Sequence, residues 1–289
     1  MIYQNTQNLP EALYRAIAND PYKKGGDFSG SELPGPPQIR VLKQRYDKKI
    51  VQDVADLIYP LIGNNTHYIL QRMNTKNALQ EEQFTYEVNG YKISGRPDDY
   101  MNEILSDYKV TTRYVLIDGV KPEWEAQLNI YAFLLEKNGF PVKSARICAI
   151  FRDWSKIQAL KNPDYPKHQV AMLPVVLWDL NETGAYIARR IAAHVEAENL
   201  ADDILPECTP EERWEKPTKY AVKKKNAKRA TKLFDNMDAA YNFRGMQEKG
   251  KYEIELRPGE STRCEYYCVV KDFCQQYKRM KGGQPCQQK

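Results

Sequence analysis

A chain of 289 residues, 42% hydrophobic and 28% charged, can bury a sizeable core, and no apolar run reaches membrane-spanning length. The formal net charge of +5 is too small to identify a nucleic-acid partner by itself, and no internal repeat is evident. The opening Met-Ile-Tyr-Gln-Asn-Thr-Gln-Asn lacks a basic stretch followed by an apolar core, so no secretory signal is expected and a soluble cytosolic protein is the default.

In chain order, Asp27 to Pro37 (DFSGSELPGPP) is turn-rich, and prolines at 34, 36 and 37 forbid a regular helix there. Asp47 to Pro60 and His67 to Asn77 read as helices. Strand signals follow at Phe84 to Val88, Tyr91 to Met101 and Ile104 to Val110. Pro122 suits the first turn of a helix over Glu123 to Asn138, which Gly139 would end. Ala145 to Asp153 is a strongly apolar strand in which Cys148 reads as a small buried hydrophobe. The expected organisation is an N-terminal arm (1–46), an α/β core (47–200) and a basic, cysteine-rich, mainly helical lobe (201–289).

Chemistry concentrates in the hairpin. Asn102-Glu103 falls where a tight turn would sit, and a two-residue loop pairs Met101 with Ile104. Continuing that ladder puts Asp98 opposite Asp107, while Lys109 shares a face with Asp107 because residues two apart in a strand point the same way. Like charges opposed across a sheet repel, so the pair calls for a positive charge between them. Mg²⁺ or Mn²⁺ suits two carboxylates plus water, and Lys109 would sit beside the metal. Surface hairpins with scattered charges are the plain alternative.

The order Pro97-Asp98, then Asp107-x-Lys109, resembles the PD-(D/E)XK nuclease superfamily, and the flanks resemble its RecB-like branch. Gly63-Asn-Asn-Thr-His67 looks like that branch's Gly-x-x-x-His motif, and Gln127-Leu-Asn-Ile-Tyr131 resembles its Gln-x-x-x-Tyr motif. The resemblance implies a restriction-endonuclease-like αβββαβ core with a mixed sheet. It implies His67, Asp98, Asp107 and the backbone carbonyl of Tyr108 as metal ligands, with Lys109, Gln127 and Tyr131 completing the catalytic set. Gln127 and Tyr131 share a helix face, from which they could hold Lys109 or contact DNA. One departure stands out: Gln71 occupies the place, four residues after the histidine, where the family often carries a glutamate, and an amide binds a hard cation less strongly.

Two further signals lie downstream. Lys219 to Lys232 (KYAVKKKNAKRATK) is basic with little acid to offset it, and Lys223, Lys224, Lys225, Lys228 and Arg229 could neutralise phosphates; a solvated helix face is the plain reading. Trp214, Tyr220 and Phe234 flank it and could stack on bases or pack in a core. Cys264, Cys268 and Cys274 cluster near the C-terminus, where metal ligation is favoured over disulfides in a cytosolic protein. Cys208, beside a Thr209-Pro210-Glu211-Glu212 helix-capping pattern, and Cys286 are the candidates for a fourth ligand. The segment around Cys208 and the RCxxxC spacing resemble those of tailed-phage nucleases, which favours Cys208. Four thiolates serve zinc and iron-sulfur alike. Resemblance to RecB-like nucleases of helicase complexes and CRISPR adaptation favours a structural [4Fe-4S] cluster, with Zn²⁺ as the alternative. Asp27 to Pro37 resembles the phage proteins' entry segment, either a wall of the DNA channel or a surface arm.

The resulting expectation is a metal-dependent DNA nuclease, most simply an exonuclease of phage DNA replication, recombination or degradation, working in the host cytoplasm. DNA is the expected partner, with replication or recombination proteins as further candidates. Its rivals are a non-catalytic DNA-binding subunit, which Gln71 would permit, and a zinc-stapled nucleic-acid module working through the basic segment.

Overall fold

The computed structural model describes residues 1–19, 25–73, 75–248 and 250–282. The chain divides into two compact units, one formed by 1–41 with 47–200 and the other by 42–46 with 201–289. Residues 1–46 are therefore not a separate arm. Phe28 and Leu33 are fully buried, and this burial draws the N-terminal segment into the first unit.

The first unit is α/β. Its elements are β1 (Ile2–Gln4), α1 (Glu11–Ala18), β2 (Phe28–Ser29), α2 (Pro37–Tyr46, whose last five residues belong to the second unit), β3 (Val51–Asp53) and α3 (Ile58–Gln71). There follow β4 (Phe84–Val88), β5 (Tyr91–Gly95), β6 (Asp99–Met101), β7 (Ile104–Thr111), the single turn α4 (Val115–Asp118), α5 (Pro122–Lys137) and β8 (Ser144–Phe151). The short α6 (Lys156–Lys161), β9 (Val170–Val175) and the long α7 (Leu180–Glu198) complete it.

One sheet runs β6-β7-β8-β9 and is mixed, with β7 parallel to β8 and the outer pairs antiparallel. A second runs β2-β5-β4. Helix α5 packs on β4, β5 and β7, α7 packs on α5, and α3 lies against β7. Leu105, Leu128, Ile130, Leu134, Ile147 and Phe151 are among the fully buried side chains of the resulting core.

Two sequence expectations need correction here. Tyr91 to Met101 is not one strand: Pro97 has no N–H to give a ladder, and the chain leaves β5 at Gly95 and enters the other sheet at Asp99. Nor are there helices at 47–60 and 67–77. Residues 51–53 pair in parallel with β1, a tertiary contact that overrides local propensity, and one helix, α3, carries both Gly63 and His67. The Asn102-Glu103 turn does form as expected, with φ of 51° and 61° and Met101 paired to Ile104. Cys148 faces away from the buried row of β8 and is half-buried.

The segment Asp27 to Pro37 is not a surface arm. Its strand β2 pairs in parallel with β5, and the Leu33 carbonyl accepts from Arg190 Nε at 3.0 Å and contacts His194 Nε2 at 3.1 Å.

The second unit contains β10 (Glu215–Lys216), β11 (Lys219–Lys224), β12 (Lys232–Phe234), α8 (Met237–Gly245), β13 (Tyr252–Arg257), β14 (Glu260–Ser261) and α9 (Gln275–Gly282). It is thus not mainly helical. The alternation in Lys219 to Lys224 buries Ala221 and Val222 in a β12-β11-β13 sheet, so the basic segment is a hairpin and not a helix face. Thr209 and Glu212 exchange the expected reciprocal bonds at 2.9 and 3.2 Å, yet they close a single turn, because Trp214 turns to a φ of +53° and β10 begins at once. Tyr46 stacks on Phe273 at 4.2 Å, which ties the end of α2 to this unit. Among the described residues no helix is long and apolar enough to cross a membrane.

His194 offers a test of the packing. It is fully buried, its Nδ1 has no hydrogen-bond partner, and burial with the nearby Arg190 and Arg40 holds its pKa down to about 4. The unfolded chain takes up this proton near pH 6.5 and the folded chain only near 4, so stability present above pH 6.5 drains away as pH falls towards 4. In urea titrations His194→Gln should flatten this loss, which amounts to up to about 3 kcal/mol in the native protein.

Candidate active site

Five segments of the first unit converge on one spot. Helix α3 brings His67, the loop before β4 brings Glu81, and the break between β5 and β6 brings Asp98. Strand β7 brings Asp107 and Lys109 on one face, and α5 brings Gln127 and Tyr131.

The ladder register Asp99↔Ser106, Tyr100↔Leu105 and Met101↔Ile104 leads, one step on, to Asp98 against Asp107. The paired strand stops at Asp99, however, and the N–H of Tyr108 donates to Asp98 Oδ2 at 2.7 Å. The other Asp98 oxygen lies 3.2 Å from His67 Nδ1, which is also 3.5 Å from a Glu81 carboxylate oxygen. His67, Glu81 and Asp98 offer ligand atoms within 4.8 Å of one another, the only such group of three among the described residues. Asp98 and Glu81 hold the His67 pKa up to about 10, a direct sign that this spot attracts positive charge.

Asp107 is wholly buried, and burial with the nearby Asp98 pushes its carboxyl up while Lys109 opposes the shift. Lys109 Nζ lies 2.6 Å from Asp107 Oδ2 and 3.4 Å from Gln127 Oε1, to which it donates. Gln127 Nε2 donates to Asp107 at 3.4 Å and to the Tyr131 hydroxyl at 3.1 Å. Of the roles open to Gln127, it takes that of holding Lys109. The Tyr131 ring is buried against Gly30 and Gly95, where an added Cβ would approach it to 2.7 and 2.8 Å, so both glycines leave room for it.

All six predicted side chains of the set therefore meet. The grouping within it differs from expectation: Asp107 turns to Lys109 and Gln127, while Glu81, which sequence reasoning missed, joins His67 and Asp98. Gln71 is exposed one turn beyond His67, and Glu81 supplies a carboxylate from another direction. Its position depends on the Leu79–Tyr100 bridge and on the Glu81 N–H donating to the Pro97 carbonyl at 3.0 Å. Its φ of +55° is unusual for a residue with a side chain, and no local pattern in the sequence announces it.

The basic residues divide. Lys223 is paired across the sheet with Glu253 at 3.5 Å and with Glu255, so its charge is already balanced, contrary to expectation. Lys224, Lys225, Lys228 and Arg229 are exposed at the hairpin end.

Cys208 and Cys274 are buried, Cys264 and Cys268 half-buried, and none is in a disulfide. Burial, then Glu212, Cys274 and Cys268, push the Cys208 thiol up. Burial, then Cys268 and Cys274, raise Cys264 to about 11. Gln276 clamps the Cys208 backbone with two 2.9 Å bonds, and Cys274 Sγ accepts from the Tyr277 N–H at 3.4 Å. Cys286 lies outside the described residues.

No family model matches the chain, and no curated protein matches it. Among solved structures, a crystal structure of SSO0001 aligns with a TM-score of 0.46 at 20% identity, covering 65% of this chain and 85% of that one.

If Glu81 is a ligand, Glu81→Gln should weaken Mn²⁺ binding at least about tenfold in calorimetry, as loss of a carboxylate from a hard-cation site does. Glu82→Gln, at the exposed neighbour, should leave the affinity unchanged.

Proposed function

We propose that the chain is a divalent-metal-dependent DNA nuclease of the PD-(D/E)XK type, acting in phage DNA replication, recombination or degradation, with exonuclease action as the simplest form. The observation that carries this reading is the meeting of His67, Glu81, Asp98, Asp107, Lys109 and Gln127 at one spot. The mixed sheet crossed by α5 between β7 and β8 is compatible with the restriction-endonuclease-like αβββαβ core that such a site would need.

The donor set, carboxylates and one imidazole, suits Mg²⁺ or Mn²⁺. His67, Asp98 and Glu81 would hold the ion, with Asp107 and the Tyr108 carbonyl beside them. When bound, the ion would supply Lewis acidity to the scissile phosphate and lower the pKa of a water. Asp98, fixed by the Tyr108 N–H, keeps its orientation without it. Lys109, held by Asp107 and Gln127, would offset charge growing on the phosphate. Tyr131 fixes Gln127 in turn.

In the second unit, Cys208, Cys264, Cys268 and Cys274 would hold an iron-sulfur cluster, with Zn²⁺ as the alternative, since four thiolates serve both. A structural role suits the buried setting.

Lys109→Ala should abolish Mg²⁺- or Mn²⁺-dependent cleavage of end-labelled DNA while DNA binding in chelator persists; full retained activity would sink the assignment. Closed circular DNA should survive, and its cutting would replace the exonuclease reading by an endonuclease one. Protein purified without oxygen should be brown with about four irons per chain, and Cys274→Ser should lose the colour; zinc in a colourless protein would favour the alternative metal.

A further inference from the structure

Helix α3 carries more than His67. Tyr59, Gly63 and His67 are spaced by four and so form one stripe along it. Tyr59 is 57% exposed, although a tyrosine of a well-packed helix would bury its ring. The guanidinium of Arg152, itself exposed just beyond the end of β8, stacks over that ring at 3.7 Å from its centroid. At Gly63 an added Cβ would meet nothing within 4 Å, so the stripe is open between the tyrosine and the histidine. Glycine there costs the helix about 1 kcal/mol against alanine, with no packing contact to explain it.

Charge points the same way. Between Asp56 and Glu81 the chain has no carboxylate, while Arg72 and Lys76 lie within that stretch. A helix without carboxylates of its own, with Arg152 over Tyr59, suits a phosphate chain. Tyr59 lies about 12 Å from His67 along the helix axis, roughly one or two nucleotides from a phosphate at the metal ligands. Inside a duplex both faces of a base are covered, so successive bases can stack on an exposed ring only when they are unpaired.

Building on the nuclease reading, we propose that the Tyr59–Gly63–His67 stripe, with Arg152, is a track for single-stranded DNA. An unpaired base stacks on the free face of Tyr59, the sugar-phosphate chain passes over Gly63, and Arg152 backs the ring and meets a phosphate. The site's substrate is then a single strand or the unpaired end of a duplex.

The test measures anisotropy in chelator, so that no cleavage occurs, with an oligothymidylate of about 20 nucleotides and a blunt duplex of the same length. The single strand should bind at least about tenfold more tightly, Tyr59→Leu should lose roughly tenfold of that affinity, and Tyr59→Trp should keep it. Gly63→Leu should melt at the same or a higher temperature, because the space is open and leucine favours helix, and yet lose single-strand affinity. Equal binding of both DNAs, or Leu variants that bind like the native protein, would overturn the track. So would a dimer in sedimentation that Tyr59→Leu dissociates, since α3 would then be a protein interface. Tyr59-dependent binding without any cleavage in Mg²⁺ or Mn²⁺ would remove the nuclease reading and leave the track. Lys109-dependent cleavage indifferent to Tyr59 would remove the track alone.

Discussion

Three carboxylates, Glu81, Asp98 and Asp107, are held together where only His67 and Lys109 bring positive charge, and the rest of the first unit serves that electrostatic demand. Asp107 has no access to water, so its charge is tolerable only with cations at hand. The charges fall into two groups: His67 lies between Asp98 and Glu81, and Lys109 closes on Asp107.

The backbone that imposes this is built from interruptions. Pro97 ends one strand and lets the chain cross to the next sheet, which frees the Tyr108 N–H for Asp98 and presents the Pro97 carbonyl to Glu81. The bare Cα atoms of Gly30 and Gly95 admit the Tyr131 ring, whose hydroxyl orients Gln127 and through it Lys109. Gly30, just past β2 and far away in the sequence, thus bears on the ammonium at the site by way of two side chains. The second unit follows a different logic, in which four cysteines lie on short turns, and burial pushes the thiols of Cys208, Cys264 and Cys268 up.

How much of this could be read beforehand varied with the range of the interaction. The hairpin register, the helix after Pro122 and the pairing of Gln127 with Tyr131 depend on turns and on periodicity of two or 3.6, and these stand in the residues themselves. The start of the chain misled because β1 and β3 pair across nearly fifty residues, which breaks the helical pattern at 47–60 into a strand between two short 3-10 turns, with α3 starting only at Ile58. The basic run looked like a helix face because lysines suit helices, whereas its buried Ala221-Val222 pair could be seen only against β12 and β13.

The sequence by itself determined which groups are available and in what order: a histidine on a helix, two aspartates with a lysine across a tight turn, a glutamine and a tyrosine one helical turn apart, and four spaced cysteines. Tertiary structure alone decided that Glu81 joins His67 and Asp98, that Asp107 turns to Lys109, that Lys223 is neutralised by Glu253 and Glu255, and that Phe28 and Leu33 belong to the core. The physical reason is common to all of these. Local spacing fixes which face a side chain occupies, but the partner it meets there arrives from another segment, along a path set by burial and by the hydrogen bonds of the intervening chain.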